Sequence, residues 1–324
     1  MKAVLCKEYG SPEKLVLEEI DSLKPGDGEI VVSVKACGVN FPDTLIIQGK
    51  YQFKPELPFS PGGEVAGIVK ELGPNVENIK VGDRVIAFNT WGGFAEEILV
   101  EANRTIEIPD EMDFIHAAGF VLTYGTSFHA LKDRAEIEPG ESLLILGASG
   151  GVGLSAIQLG KVMGAKVIAA ASSDEKLAIC RENGADELIN YTNEDLRERV
   201  KQITNKKGVD VIYDPVGGRF SELAIRDMAW KGRYLVIGFA IGEIPKIPLN
   251  LALLKGCSIV GVFWGQFTQR EMKKNQDNNQ ELMQMFVDRK VKPHIHATFP
   301  LEKAVDALNE VLLKKVSGKV ILTT

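Results

Sequence analysis

Apolar and polar positions follow two regimes along this chain. Up to residue 105, apolar residues sit in short β-rich runs, Ala3 to Cys6, Leu15 to Ile20, Ile30 to Cys37, Glu64 to Leu72, Arg84 to Phe88 and Phe94 to Val100. Turn clusters such as Gly10-Ser11-Pro12, Pro25-Gly26-Asp27-Gly28 and Gly73-Pro74-Asn75 separate them. Many short strands with regular turn signals predict a barrel or rolled sheet. Glu111 to Ala118 and Ser127 to Arg134 read as helices. From Ser142 the pattern becomes an alternation: Leu143–Leu146, Val152–Met163, Lys166–Ala171, Asp174–Glu182, Glu187–Asn190, Asn193–Ile203, Val209–Tyr213, Phe220–Ala229, Arg233–Ile237 and Ser258–Val262. Strand and helix in turn predict an α/β doubly wound parallel sheet with helices on both faces. After Trp264 the alternation stops. A helical stretch runs to Lys290, followed by a strand at His294–Phe299, a helix with Leu301, Ala304, Val305, Leu308 and Leu312 on one face, and a last strand at Gly318–Leu322. Because this tail no longer alternates, it is expected to join the N-terminal domain.

The stretch Glu141 to Leu177 carries the clearest chemistry. A buried-strand run, Leu143–Leu146, leads into Gly147, Gly150, Gly151 and Gly153, with Ser149 inside the turn. Val152, Ala156, Leu159 and Met163 then give one apolar helix face, and a second strand follows. Glycines here let backbone approach a pyrophosphate, and the helix start offers free N–H groups and the positive end of its dipole. The stretch therefore predicts a dinucleotide site.

Composition narrows the classes. With 324 residues, two domains are expected. Hydrophobic residues at 45% and charged residues at 25% describe an ordinary globular chain, and a net charge of −6 disfavours nucleic acid or an anionic membrane as partner. No apolar run is long enough to span a bilayer, and the N-terminus lacks a signal-peptide pattern, so a cytoplasmic protein is expected. Cys6, Cys37, Cys180 and Cys257 are widely spaced, as reduced thiols would be, and form no C-x-x-C.

Taken in order, several motifs identify a relationship: Gly38-Val39-Asn40-Phe41-Pro42-Asp43, Leu57 to Gly67 (LPFSPGGEVAG), Val81-Gly82-Asp83-Arg84-Val85, Tyr124-Gly125-Thr126, the glycine turn, Asp214-Pro215-Val216-Gly217-Gly218, Gly232 to Gly238, and Ser317-Gly318-Lys319-Val320. Over essentially its whole length the chain resembles a medium-chain dehydrogenase/reductase of the zinc-free NADPH:quinone oxidoreductase branch. The resemblance implies a GroES-like β-barrel catalytic domain, residues 1–121 and 266–324, around a Rossmann domain, residues 122–265. It also implies a homodimer in which Ile259 to Val262 pairs with its twin. Where zinc alcohol dehydrogenases carry metal ligands, this chain has Asn40, Gly63 and, near the third, Gly119. No metal is expected, since zinc needs three or four converging donors.

The second strand of the dinucleotide stretch ends in Ala171, where an NAD-specific site usually presents an acid. Ser172, Ser173 and Lys176 follow, hydroxyls and a cation suited to a 2′-phosphate. Asp174 and Glu175 are read as helix N-terminal residues, and similar reductases use the tyrosine at the position of Tyr191. NADPH is therefore the expected cofactor. The resemblance adds Tyr124, Thr126, Gly217, Gly238, Phe239, Phe263, Trp264 and Lys319 to the cofactor contacts.

Without a metal, hydrogen-bond donors must stabilise the oxyanion or enolate formed on hydride transfer. The expected acceptors are quinones and α,β-unsaturated carbonyls, with an enoyl-thioester of the acryloyl-CoA type or a non-catalytic redox sensor as alternatives. The catalytic candidates are Asn40 as amide donor, Tyr51 as hydrogen-bond or proton donor, and Asp43 to orient Asn40.

Overall fold

The computed structural model describes residues 1–324 and divides into two compact units, Met1–Leu122 with Pro293–Thr324, and Thr123–Lys292. In the first unit β1 (Lys2–Leu5) and β2 (Val16–Glu19) form an antiparallel ribbon. The strands β3 (Glu29–Val39), β4 (Glu64–Leu72), β5 (Arg84–Phe88), β6 (Glu97–Glu101) and β7 (Thr105–Glu107) follow. The second unit contributes β8 (Ser142–Leu146), β9 (Lys166–Ala171), β10 (Glu187–Asn190), β11 (Val209–Asp214), β12 (Met228–Val236) and β13 (Ser258–Gly261). The tail returns to the first unit with β14 (Ile295–Pro300) and β15 (Lys319–Thr323).

The second unit is built as the alternation requires. Its six strands lie in the order β10-β9-β8-β11-β12-β13, all parallel. This is the 3-2-1-4-5-6 order of the doubly wound nucleotide-binding fold. Leu143–Leu146 and Val167–Ala170 are fully covered on both faces, which is why they read as unbroken apolar runs.

In the first unit the long β3 is the organiser. It pairs antiparallel with β4, β6 and β15, inside a seven-stranded sheet that also holds β14, β5 and β7. Register decides what meets at its end. Gly38 lies opposite both Glu64 of β4 and Ile321 of β15. Asn40, Glu64 and Lys319 are thereby gathered from three distant parts of the sequence. The apolar faces of this sheet pack with Leu301, Ala304, Ala307 and Leu308 of the tail, as the helical spacing there anticipates.

Three expectations need correction. The return to the first unit comes at Pro293 rather than residue 266. The helix Met272–Val287 stays with the second unit because Asp133, almost wholly buried, accepts from Asn278 Nδ2 (2.9 Å) and pairs with Lys274 (3.1 Å). The helices expected at 111–118 and 127–134 are instead a short turn, Phe114–Ala117, capped by Asp113, and a helix Val121–Phe128 that widens into a π-turn at His129–Arg134. Two helices were not anticipated, Phe41–Ile46 and Leu249–Lys255.

Candidate active and cofactor sites

In the first unit the strand ends assemble a buried polar cluster. Lys319 Nζ donates to Asn40 Oδ1 at 2.5 Å and to Glu64 Oε2 at 3.1 Å. Asn40 Nδ2 donates to Gly38 O (3.2 Å) and to Glu64 Oε2 (3.1 Å). The other Glu64 oxygen accepts from Leu122 N at 2.8 Å. Glu64 is wholly excluded from solvent, and Lys319 and Asn40 nearly so. A buried carboxylate is tolerable only when paired and hydrogen-bonded, and here both conditions hold.

This arrangement commits two of the candidate side chains to the protein. Both amide hydrogens and the carbonyl of Asn40 have partners within the first unit, and these bonds anchor the turn. Lys319 points its ammonium inward at Asn40 and Glu64. Gly318 lets the chain do this: its φ is +86° and a Cβ would lie 2.2 Å from His294 O.

Asp43 occupies the third position of the helix Phe41–Ile46 and accepts from the Asn40 backbone N–H at 2.7 Å, one half of a capping box. Burial is the largest influence on it and pushes its pKa up to about 7, against the pull of the Asn40 N–H and Lys319 and with a further push from Glu64. Tyr51 is half-buried against the same core, and its ring stands 6.1 Å from Phe53. Burial, then the charge of Asp43, raises the Tyr51 pKa. Its phenol therefore stays protonated at neutral pH. Of the three candidates, Tyr51 is the one whose hydroxyl the protein has not drawn into this cluster.

The donor set does not fit zinc. No group of three His, Cys, Asp or Glu is placed to hold a metal ion. Glu64 is already saturated, an ammonium sits beside it, and a Cβ at Gly63 would meet Asn89 O at 2.5 Å. A histidine cannot occupy position 63 without moving backbone.

In the second unit the glycine turn has the expected shape. Gly147, at φ +58°, ends β8, and Gly150 caps the helix Gly151–Val162. A Cβ on Gly153 would fall 2.5 Å from Ala148 O, so only glycine permits this close turn, whereas Gly150 faces open space apart from Gly147 O at 3.5 Å. Ser149 and Val152 complete the turn. The residues fit a pyrophosphate at the helix start, where the first N–H groups have no intrahelical acceptor.

Beyond β9, Lys176 Nζ lies 3.4 Å from Ser172 Oγ, and burial raises the Tyr191 pKa against the smaller downward pull of the Ser172 hydroxyl. Ser173 caps the following helix by accepting from Lys176 N. Asp174 accepts from Asn190 Nδ2 at 2.7 Å, and Glu175 is exposed in the first turn of the helix. Asp174 is thus structural, and the hydroxyls and the cation lie on the same side of the strand end. Arg219, missed in the sequence, extends this face. Its guanidinium lies 4.9 Å over the Phe220 ring, which packs 4.5 Å from Tyr191. Only the pairing of Tyr191 with Phe220 reveals it.

The other expected cofactor contacts divide. Gly217, Gly238 and the partly exposed Phe239 lie in loops at the C-terminal ends of β11 and β12, and Phe263 is exposed after β13. Tyr124 is instead a core residue, its hydroxyl donating to Gln158 Oε1 at 2.7 Å, and Thr126 is nearly buried in the same helix. Trp264 is likewise internal. Its indole fills the space above Gly125, where a Cβ would come within 2.9 Å.

The comparisons agree with this geometry. The family model described as the alcohol dehydrogenase GroES-like domain matches residues 26–110, and that described as zinc-binding dehydrogenase matches residues 151–281. The chain is 40% identical to the quinone oxidoreductase-like protein 2 homolog of Nematostella vectensis, covering 100% of this chain and 89% of the relative. It is 35% identical to quinone oxidoreductase of Rattus norvegicus, covering 99% and 97%. The crystal structure of Escherichia coli quinone oxidoreductase complexed with NADPH superposes with a TM-score of 0.94 at 30% identity, covering 100% of both chains. Fold, motifs and relatives place the chain in the quinone oxidoreductase family of the medium-chain dehydrogenase/reductases.

Proposed function

We propose that this chain is an NADPH-dependent reductase that delivers hydride to quinones or α,β-unsaturated carbonyls without a metal. The observation that carries the reading is the grouping of Ser172, Lys176 and Tyr191 past β9, with Asp174 engaged by Asn190. A 2′-phosphate suits such a set, because a cation and hydroxyls donate to its oxygens. Escherichia coli quinone oxidoreductase, the structural relative, is complexed with NADPH. NADPH when bound supplies the hydride, and the glycine turn holds its pyrophosphate.

The first unit sets the acceptor. Asn40, Gly63 and Gly119 stand where zinc alcohol dehydrogenases carry metal ligands, which supports activation of the acceptor by hydrogen-bond donors. Tyr51, protonated at neutral pH, serves the acceptor's oxygen as it gains negative charge. Asn40 and Asp43 act as positioning residues for the turn before Tyr51. Quinones and enones take such charge readily, whereas simple alcohols would need a stronger base.

The test is NADPH oxidation against 1,4-benzoquinone, 9,10-phenanthrenequinone, an enone and an enoyl-CoA. Turnover of the first three supports the reading. Turnover of the enoyl-CoA alone makes the chain a thioester reductase, and silence on all four with NADPH binding makes it a sensor.

The protein is further read as a cytoplasmic homodimer. No helix is long and apolar enough to cross a membrane, and all four cysteines are free. The edge strand β13 leaves backbone unpaired, and Trp230, Leu249, Leu253, Leu254 and Ile259 are exposed on the elements around it. A free edge with large apolar residues suits pairing with a second copy. A monomer mass in sedimentation would sink the dimer.

A further inference from the structure

One buried carboxylate in the second unit touches more of the loop structure than any residue named so far. Asp214 ends β11 and is almost wholly buried. Its Oδ1 accepts from the backbone N–H of Val216 (2.8 Å) and Gly217 (2.9 Å). Its Oδ2 accepts from Ser221 Oγ (2.6 Å) and from the Tyr234 hydroxyl. Its backbone carbonyl accepts from the N–H of Ile237 (3.0 Å) and Gly238 (3.3 Å), at the end of β12.

These bonds reach the loops after β11 and β12 directly, and a third, the glycine turn, through the packing of Val216. Val216, held through its N–H, packs against the glycine turn so closely that a Cβ on Gly147 would lie 2.6 Å from Val216 Cγ2. Gly217 packs against Phe239, where a Cβ would lie 2.9 Å from that ring. The loop after β12 is tied back by Ala240 N to Pro215 O and Ile241 N to Val216 O, both 3.0 Å. Gly217 and Gly218, at φ +75° and +62°, take backbone conformations that glycine adopts readily and other residues do not. In α/β sheets of this type ligands bind at the C-terminal strand ends, where these loops lie.

We propose that Asp214, fixed by the hydroxyls of Tyr234 and Ser221, is the positioning residue that sets the three cofactor loops in register before the dinucleotide arrives. The inference rests on the NADPH reading above. Burial, then the charge of Asp214, raises the Tyr234 pKa, so the phenol keeps its proton and donates it to the hydrogen bond. Removing one donor leaves a buried carboxylate short of a partner, and that deficit is relieved most readily by movement of the loop.

The experiment measures NADPH affinity by fluorescence titration, and KM for NADPH and for a quinone, in Tyr234→Phe and Ser221→Ala. Either change should raise Kd and KM for NADPH about ten-fold, the cost of a hydrogen bond to a charged group, and leave KM for the quinone within about two-fold. Ser142→Ala is the control. It removes the hydroxyl that ties the opposite ends of β8 and β11 through Asp210 (2.7 Å), so it should lower the melting temperature and leave Kd unchanged. If Tyr234→Phe does not fold, Ser221→Ala decides alone. NADPH affinity unchanged in the folded variants, or shifted equally by Ser142→Ala, would overturn the proposal while the wild type still bound NADPH. Failure of the wild type to bind NADPH would overturn the cofactor reading and this inference together.

Discussion

Lys319 and Glu64, 255 residues apart, meet at 3.1 Å in the interior of the first unit, with Asn40 bonded to both. The pair exists because β15 and β4 flank the same end of β3. Replacing Lys319 by Met removes the ammonium and leaves the carboxylate uncompensated, at a cost of about 3–5 kcal/mol for breaking a buried pair from one side. Adding Glu64→Gln to Lys319→Met should recover a large part of that loss, because the stranded charge disappears. Urea denaturation of both single variants and the double variant checks this, and additive losses would contradict the coupling.

Asp43 gives the stability a pH dependence of defined sign. Its folded pKa is pushed up to about 7, from an ordinary 3.8, chiefly by burial. Between those two values the folded protein binds more protons than the unfolded chain, so the contribution of Asp43 is favourable at the acidic end and is lost as pH rises toward about 7. Above that window the loss is complete and the slope from this group vanishes. Melting temperatures from pH 5 to 8 should therefore fall more steeply in the wild type than in Asp43→Asn, which cannot ionise. Parallel curves would show that Asp43 does not titrate there.

Tyr51 should separate the two acceptor classes. Its phenol stays protonated because burial and Asp43 both raise its pKa. An enone needs a proton on its developing enolate, so Tyr51→Phe should lower kcat on enones about ten-fold or more, within the range of general acid catalysis. The hydroquinone anion is a weaker base and can take its proton from water. Quinone turnover should consequently fall by no more than about three-fold. Equal losses on both classes would mean that Tyr51 shapes the pocket and donates no proton.

The sequence was most legible where burial is two-sided. Leu143–Leu146 and Val167–Ala171 read as parallel strands because both their faces are covered, and the glycine turn between them favours a dinucleotide site over an ordinary βαβ crossover. The boundary expected at residue 266 falls early because strand and helix cease to alternate there, while the helix Met272–Val287 still belongs to the second unit. Its buried Asn278 finds Asp133 only in three dimensions. Lys319 was read as an outward cation for a similar reason. Lysine near a strand start is normally solvated, and nothing local to Ser317–Val320 indicates that Asn40 and Glu64 lie alongside. The bonds of Asn40 to Glu64 and Lys319 are equally invisible in the sequence, since strand register alone supplies those partners.

Lys176 should set the preference between the two cofactors. Its ammonium lies 3.4 Å from Ser172 Oγ, beside the Tyr191 hydroxyl, at the end of the strand where an NAD-specific site presents an acid. Lys176→Ala deletes the only cation in that trio and leaves its hydroxyls in place. Charged hydrogen bonds contribute about 1.5–3 kcal/mol, so KM for NADPH should rise about ten-fold or more. NADH carries no 2′-phosphate, and its KM should change by less than about two-fold, since the lysine has nothing to grip. The ratio of kcat/KM for the two cofactors, measured with one quinone at fixed pH and salt, reads this difference directly. A variant that weakens both cofactors alike would place the 2′-phosphate elsewhere, with Arg219, exposed and stacked over Phe220, the next residue to substitute.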